Sequence, residues 1–459
     1  MTPISLISQI TWDFETPINV ANNSFGNSSA QLIIDQSGNP QIVMGKPSSG
    51  LYFVQSNHGV FNTPQLIPTT ENMFINNTNG PIVARFNDLI GISYKESVNG
   101  TSSAKFIQSF DNGDSWNNPV DIFANNFEDF SIPVPYYDTD GNPFVISKIG
   151  VYPNIFEGFS RSDDGGFTFL TYENIISNLG NGITCECCPS SPVFFNTRFY
   201  NIFRRNENNL RDFWIISSED GVNWDNQIDI DPSDWIINGC PSSGASTSLL
   251  SDTALATVYM SGSNGDPKIY LNVFNPSQNS NGTTLPLSQS QFVNVIQNHP
   301  IISCGSTHTA IVWEQFESEY NIMLSISKNE NIINGLVDVA ESISADISGA
   351  NRFPKVKIFN NKLHLIWQNM DEGTVKYISG TISDDNSGLG FKKLDINGIY
   401  NLGSVGKISK SNNVQSSSAN QRSAQNTTNS ASGSGSSDPI LAMEKLVKSR
   451  IPNSSTSRS

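Results

Sequence analysis

The chain has 459 residues, a formal net charge of −16 and a pI of about 4.6. Such an acidic surface repels phosphate backbones, which excludes nucleic acid as a direct partner. No stretch approaches 18 uninterrupted apolar residues, and residues 1–8 lack the basic start and apolar run of a secretory signal. We therefore expect a soluble protein with no membrane span and no signal peptide.

The predicted elements are short strands that recur along most of the chain. A lone strand over 10–18 comes first, and a first repeat follows with strands over 31–34, 41–44 and 51–55. Short β-branched or alternating runs bounded by Gly, Asn and Asp are typical of antiparallel strands. Six further repeats each start at a proline, and these prolines lie 52 to 59 residues apart: Pro81, Pro133, Pro189, Pro241, Pro300 and Pro354. The sequence therefore predicts seven structural repeats.

A second pattern, S-x-D-x-G-x-x-W or a close variant, falls between the third and fourth strands of three consecutive repeats. A carboxylate in such a turn accepts backbone N–H bonds, glycine supplies a positive φ, and the aromatic residue packs between neighbouring repeats. We expect this role to be structural. The residues concerned are Ser109, Asp111, Gly113 and Trp116; Ser162, Asp164, Gly166 and Phe169; and Ser217, Glu219, Gly221 and Trp224.

This motif and its spacing resemble the Asp-box, or BNR repeat, of sialidase-like proteins. The resemblance and the tandem repeats together indicate an all-β fold, a β-propeller of four-stranded antiparallel blades over residues 1–402. Seven blades are expected, and six is the alternative, since it is also usual for such folds. The strand over 10–18 resembles the outer strand over 116–122, so we expect it to pair with the last blade and close the ring.

The residue before each repeat proline should head an innermost strand, next to the central channel. In three consecutive blades these residues are Cys188, Cys240 and His299, and Cys185 and Cys187 lie just upstream. Thiolates and imidazole in this grouping bind Zn or Cu(I). A disulfide, for example between Cys188 and Cys240, and free thiols are the alternatives that the spacing leaves open.

Four arginines are expected on the same face as candidate ligand-binding residues. Because a guanidinium fork matches two oxygens, this grouping favours recognition of a carboxylate. The alternative for Arg211 is a simple ion pair with Asp212 in a loop. The four are Arg204, Arg205, Arg211 and Arg352.

The segments Thr184–Pro189 (TCECCP), Phe203–Arg205 (FRR), Arg211–Asp212 (RD) and Gly239–Pro241 (GCP) resemble a group of bacterial sialidase-like BNR-repeat proteins. Sialidases use three arginines, a Tyr–Glu pair and an aspartic acid, and carry an early Arg-Ile-Pro-like segment. Here the nearest match to that segment, Arg352–Pro354, lies in the last repeat, so the family's catalytic residues are not carried over.

Three functions follow as hypotheses. The first is a non-catalytic binding or structural module that recognises a glycan or a protein partner, including a component of a cell surface or virion. The second is a sialidase-like glycoside hydrolase acting on acidic glycans, with the carboxylates Glu186, Asp212 and Glu314 as weak catalytic candidates. The third is a metal-binding propeller that uses the cysteines and His299.

The segment 403–459 is Ser- and Asn-rich, a composition that does not form a packed core. Within it, 438–450 has an N-capping aspartate, a following proline and apolar residues on one face. A short helix is predicted there, either docking on a partner or fraying in a disordered tail.

Overall fold

A computed structural model describes residues 9–47, 49–98, 101–123, 132–151, 154–172, 174–177, 184–278, 281–287 and 294–385. These form a seven-bladed β-propeller of antiparallel sheets, as the repeats predict, so the six-blade alternative is wrong. The tail from 403 and its predicted helix lie outside the described residues. None of the helices in the described ranges has the length and apolarity to cross a membrane.

Within each blade the strands lie in the following order, from the innermost to the outermost. Blade one contains Ser28–Ile34, Pro40–Lys46, Gly50–Asn57 and Val60–Phe61, and Gln65–Leu66 also pairs with its third strand. Blade two contains Ile82–Phe86, Leu89–Val98, Thr101–Ser109 and Val120–Asp121, with Met73–Phe74 beside its second strand. Blade three contains Val134–Tyr137, Pro143–Val151, Asn154–Arg161 and Leu170–Tyr172. Blade four contains Ser191–Phe195, Arg198–Arg204, Phe213–Ser218 and Asp225–Asp229.

Blades five to seven follow the same plan. Blade five contains Ser246–Ser251, Ala254–Ser261, Lys268–Phe274 and Thr283–Pro286. Blade six contains Ile296–Cys304, His308–Phe316, Tyr320–Lys328 and Glu341–Ser342. Blade seven contains Asn351–Phe359, Lys362–Asn369, Thr374–Asp385 and the N-terminal strand Gln9–Phe14, with Ile18–Asn19 also on the third strand. The helical elements are Asn23–Phe25, Pro276–Gln278 and Asn329–Ile333.

The N-terminal strand closes the ring. Gln9–Phe14 pairs antiparallel with the third strand of blade seven, in a register that sets Phe14 opposite Gly380. The same blade therefore combines the first and the last strands of the described chain. The prediction that the N-terminal segment latches the last blade is confirmed, and no free third-strand edge remains in this blade.

The core lies between the blades. Seven apolar clusters each join one blade to the next, including the junction of blade seven with blade one. The second strand of blade five shows why these strands are apolar throughout. Leu255 and Tyr259 face the cluster shared with blade four, whereas Val258 and Met260 face the one shared with blade six. Successive side chains on a strand point to opposite faces, and here both faces are buried.

The serine–aspartate turns connect third and fourth strands, as the motif predicts. In blade two, Ser109 donates to Asp111 and accepts from the N–H of Gly113, and Asp111 accepts from the N–H of Ser115 at 2.8 Å. Each turn's aromatic residue stacks edge-on against a third-strand phenylalanine of the preceding blade. The pairs are Trp116 with Phe53, Phe169 with Phe106, and Trp224 with Phe159.

The third turn corrects one prediction. Ser218 and Asp220, not Ser217 and Glu219, make the turn's hydrogen bonds, because one residue fewer separates the serine from Gly221. Glu219 is exposed and pairs with Arg198. In this turn the serine and the carboxylate lie one position closer to the glycine than in the other two turns.

Candidate functional site

The central channel opens on the face where the innermost strands begin. A cavity of about 230 Å³ at this mouth is lined by Pro189 and by the residues that precede three other repeat prolines, Gly80, His299 and Phe353. The expectation that equivalent positions in successive blades meet around the channel is therefore met for these residues. A second cavity of about 650 Å³ continues the channel towards the opposite face, where Asp35 and Asp138 line it.

The backbone is distorted at the mouth. Ser29, His299 and Phe353 have φ values of 52°, 49° and 53°, and each lies at a register shift between the first two strands of its blade. Non-glycine residues rarely adopt this left-handed conformation, and bulges of this type re-aim side chains near functional sites. The distortion thus recurs at the same place in blades one, six and seven.

The cysteines form a cluster beside the mouth. Cys187 and Cys240 form a disulfide with a Cα–Cα distance of 6.3 Å, which corrects the example pairing of Cys188 with Cys240. Cys185 Sγ lies 3.0 Å from Cys188 Sγ and 3.6 Å from Cys187 Sγ. Cys188 is fully buried behind the mouth rather than lining it.

Positive charge surrounds the two free thiols. Arg211 donates to Cys185 Sγ at 2.9 Å. Burial works to raise the pKa of both thiols and keeps that of Cys185 well above its ordinary value. At Cys188, the hydrogen bond from Cys185 and the nearby charge of Arg204 outweigh burial and lower the pKa to about 6. Cys188 is thus the more acidic thiol of the pair.

Arg204 and Arg205 differ from their predicted role. Arg204 is fully buried, with its guanidinium 4.1 Å from the ring centroid of Phe213, and it donates to the carbonyl of Met260 at 2.6 Å. Arg205 stacks on Trp214 and pairs with Glu207 at 2.7 Å. A planar, weakly hydrated guanidinium suits such stacking. Arg204 therefore tethers blade four to blade five instead of facing a ligand.

Arg352 and Glu314 form an ion pair with each other. Glu314 is buried and accepts two hydrogen bonds from Arg352, at 3.0 and 3.3 Å, and a third from the N–H of Phe353. Burial acts to raise the pKa of Glu314, but Arg352 and His299 hold it below its ordinary value. Arg352 stacks on Tyr320, so both groups form a strut between blades six and seven, which corrects their expected ligand-binding and catalytic roles.

His299 lies with this strut and not with the cysteines. Its Nε2 is 3.7 Å from Glu314, and its ring is 4.8 Å from that of Phe353. Within the described ranges, the one group of potential metal ligands brought within 4.8 Å consists of Cys185, Cys187 and Cys188. The predicted Cys–His cluster is therefore corrected to a cluster of cysteines alone.

Arg211 and Asp212 point to different partners. Arg211 lies 3.7 Å from Glu186, which is partly exposed, whereas Asp212 accepts from the N–H of Trp235 at 2.9 Å. Burial, together with nearby aspartates, raises the pKa of Asp212 to about 7. The alternative of an Arg211–Asp212 ion pair does not match these contacts. Asp212 is only 2% exposed, so a substrate does not reach it in this conformation.

One buried network was missed in the sequence. Lys148 pairs with Glu157, and both side chains are at most 1% exposed. Glu157 also accepts from Thr184, Ser190 and Asn201, at 2.5, 2.8 and 3.2 Å. Lys148 and Glu157 are direct partners in the register of blade three, so two charges in otherwise apolar strands were the available signal.

The sulfur cluster fits a soft metal ion by its donor set. A tetrahedral zinc ion with Zn–S bonds of about 2.3 Å places its sulfurs about 3.8 Å apart. The separation of 3.6 Å between Cys185 and Cys187 is close to that value, whereas the 3.0 Å between Cys185 and Cys188 is shorter and would have to widen around an ion. Cys240, joined to Cys187, is the natural fourth donor once the disulfide is reduced.

No protein-family model matches the chain, and no curated protein matches it. Among solved structures, a Trypanosoma rangeli sialidase in complex with the inhibitor DANA has 11% identity and a TM-score of 0.45, over 68% of this chain and 56% of that one. An ulvan lyase of a new polysaccharide lyase family has 10% identity and a TM-score of 0.49, over 79% and 95%. A protein of unknown function from Dyadobacter fermentans has 12% identity and a TM-score of 0.46, over 82% and 99%. The chain thus covers little more than half of the sialidase's length, and identities this low concern the fold alone.

Proposed function

We propose that the protein is a non-catalytic, sialidase-like propeller that binds the end group of a glycan at the mouth of its channel. The observation that carries the proposal is the lining of the 230 Å³ cavity. Hydroxyl and amide side chains surround it, and these match sugar hydroxyls as donors and acceptors. The set includes Asn77, Thr78, Ser191, Ser242, Ser246 and Thr247.

The volume of this cavity favours the end group of a glycan over a longer segment of the glycan chain. Pockets for drug-sized ligands are usually about 300–1,000 Å³, so the mouth suits a smaller unit. Tyr136 and Phe353 add aromatic surface among the polar groups. Aromatic faces next to hydroxyl partners are suited to the two sides of a sugar ring.

The state of the candidate carboxylates supports binding without turnover. Glycoside hydrolysis needs two carboxyl groups flanking the scissile bond. Glu314 is fully engaged with Arg352, and Asp212 is buried against Trp235. Glu186, paired with Arg211, is the partly exposed member of the three. Neither buried group is placed to act on a ligand at the mouth.

Glycan binding is tested with a panel of immobilised oligosaccharides. Wild type is expected to bind a subset of them, and Ala245→Tyr, which narrows the mouth, is expected to lose that binding. Val222→Tyr is the matched control, since Val222 is exposed in a turn on the opposite face. Binding that survives Ala245→Tyr, or no binding to any glycan, would count against the proposal.

The sulfur cluster supports a second candidate, a Zn or Cu(I) site in the reduced protein. Cys185, Cys187, Cys188 and Cys240 would hold the ion, and Arg211 would offset part of the thiolate charge. Elemental analysis of reduced protein is expected to give one equivalent of metal, and none for Cys185→Ser. Cys304→Ser is the control, because Cys304 packs in the cluster between blades five and six. Equal metal content in Cys185→Ser and wild type would exclude the site.

A further inference from the structure

Two lysines of one strand line the central channel below the mouth. Lys355 and Lys357 both belong to the innermost strand of blade seven, and residues two apart on a strand point to the same side. Lys355 lines both cavities, so it lies at the level where they join, and Lys357 lines the larger one. The two side chains therefore face the same channel, where Lys355 is half-buried and Lys357 is exposed to the channel interior.

Other charged or titratable groups also line the channel, and the hydrogen bonds of Asp35, Asp138 and Arg85 are directed elsewhere. Asp35 and Asp138 each accept the N–H groups of their own turns at the far end of the channel. Arg85 donates to Gln41 at 2.6 Å and to Asn112 at 2.7 Å. The complete set across the blades is Asp35, Arg85, Tyr136, Tyr137, Asp138 and His299, besides the two lysines.

Neither lysine has a counter-charge among the residues that the structure describes: no carboxylate lies within ion-pair distance of either one. This is unusual in a chain of net charge −16. Burial, followed by repulsion from Lys357, lowers the pKa of Lys355 to about 8, and burial also lowers that of Lys357. Two like charges on one strand thus repel each other inside the ring, and an anion bound between them would offset this repulsion.

We propose that the channel binds a small oxyanion between Lys355 and Lys357. The ligand class comprises phosphate, sulfate and carboxylate groups, either free or as the end group of a larger molecule. Gln31 and Thr247 line the channel at the level of Lys355 and offer amide and hydroxyl donors to the same ligand. The proposal goes beyond glycan binding, because a free anion in the channel does not require a sugar at the mouth.

The test uses sodium phosphate and sodium sulfate against sodium chloride at constant ionic strength and pH 6.5. Calorimetric titration and thermal unfolding of the full chain are expected to show saturable binding and a rise in Tm with either oxyanion. Because each lost charge-assisted hydrogen bond weakens binding by about tenfold or more, Lys355→Met and Lys357→Met should each show that loss. Lys362→Met, an exposed lysine on the next strand, is the control and should bind as wild type does.

Two further readouts keep the test decisive. In oxyanion-free buffer, Lys355→Met is expected to unfold at a higher temperature than wild type, because repulsion is relieved. At pH 9.5 wild-type binding should weaken, since Lys355 then loses its proton. Absence of saturable binding, or equal affinity in Lys355→Met and wild type, would overturn the proposal.

A third set of experiments identifies the source of the anion. It also distinguishes a failure of this proposal from a failure of the glycan proposal. Ala245→Tyr should abolish glycan binding and keep phosphate binding, because Ala245 lines the mouth and not the larger cavity that Lys357 lines. Competition of phosphate by glucuronate, but not by glucose, would show that a carboxylate end group uses the same site. Competition by glucose as well would contradict an oxyanion site.

Discussion

The Lys148–Glu157 pair gives the sharpest stability prediction. Glu157→Gln keeps the shape of the side chain but leaves the Lys148 ammonium, 1% exposed, without its counter-charge. Removing one partner of a buried ion pair costs about 3–5 kcal/mol, because the remaining charge stays desolvated. Three further hydrogen bonds to Glu157, from Thr184, Ser190 and Asn201, place the expected loss within this range.

The assay is equilibrium unfolding in urea, with a double-mutant cycle. Lys148→Met/Glu157→Gln is expected to be far more stable than the sum of Lys148→Met and Glu157→Gln predicts, since it removes both charges. Asp121→Asn is the matched control, because it breaks the exposed pair with Lys105 and should cost less than about 1 kcal/mol. A Glu157→Gln variant within about 1 kcal/mol of wild type would refute the reasoning.

Three other predictions concern the turns, the acidic groups and the ring closure. Gly113→Ala should cost about 2 kcal/mol or more, because φ is 97° and a Cβ would clash with the ring of Phe53; Gly59→Ala, with a positive φ but open space, should cost about 1 kcal/mol in the same urea assay. Folding raises the pKa of Asp212, so this carboxyl group favours the folded state at a pH below the pKa that it has in the unfolded chain. The contribution to stability is lost as the pH rises through about 7. Asp212→Asn should therefore reduce the loss of stability between pH 5.5 and 8.5 by about 1 kcal/mol, since the unscreened shift gives about 2 kcal/mol and solvent screening lowers it; an unchanged slope would contradict this. Deleting 9–14 exposes the third strand of blade seven, so size-exclusion chromatography should show dimers or aggregates, whereas a stable monomer would argue against a closing role.

The sequence predicted the fold well because the fold is repetitive. A proline at the head of six innermost strands, and a serine–aspartate turn in three blades, each repeat one local rule at a fixed interval. The ring then follows, since tandem antiparallel sheets bury their faces only against one another. The closing strand was found for the same reason, as its pattern copies an outer strand.

The site was predicted less well because its chemistry depends on single side-chain directions. Neighbouring cysteines on the chain face different sides, so spacing alone did not show that Cys187, and not Cys188, pairs with Cys240. Arg204 was placed on the correct face, but only tertiary packing shows that it ends between Phe213 and Trp235. The sequence correctly placed His299 at the mouth, but it grouped His299 with the cysteines, whereas the structure places it beside Glu314.

The lysines of the channel illustrate the same limit. Lys355 and Lys357 alternate with apolar residues, a pattern that is also typical of a strand with one solvated face. Only the closure of seven blades turns that face inward and makes it the wall of a channel. Their significance therefore depends on the ring, not on the local sequence.

Binding at the channel mouth without turnover is the central feature of the proposed function. The direct measurement is to incubate the protein with each glycan that it binds and to follow both complex and products by mass spectrometry. We predict an intact complex that Ala245→Tyr abolishes, with no cleavage product above the protein-free control. Product that accumulates with wild type, and disappears when Glu186 or Asp212 is replaced, would contradict it.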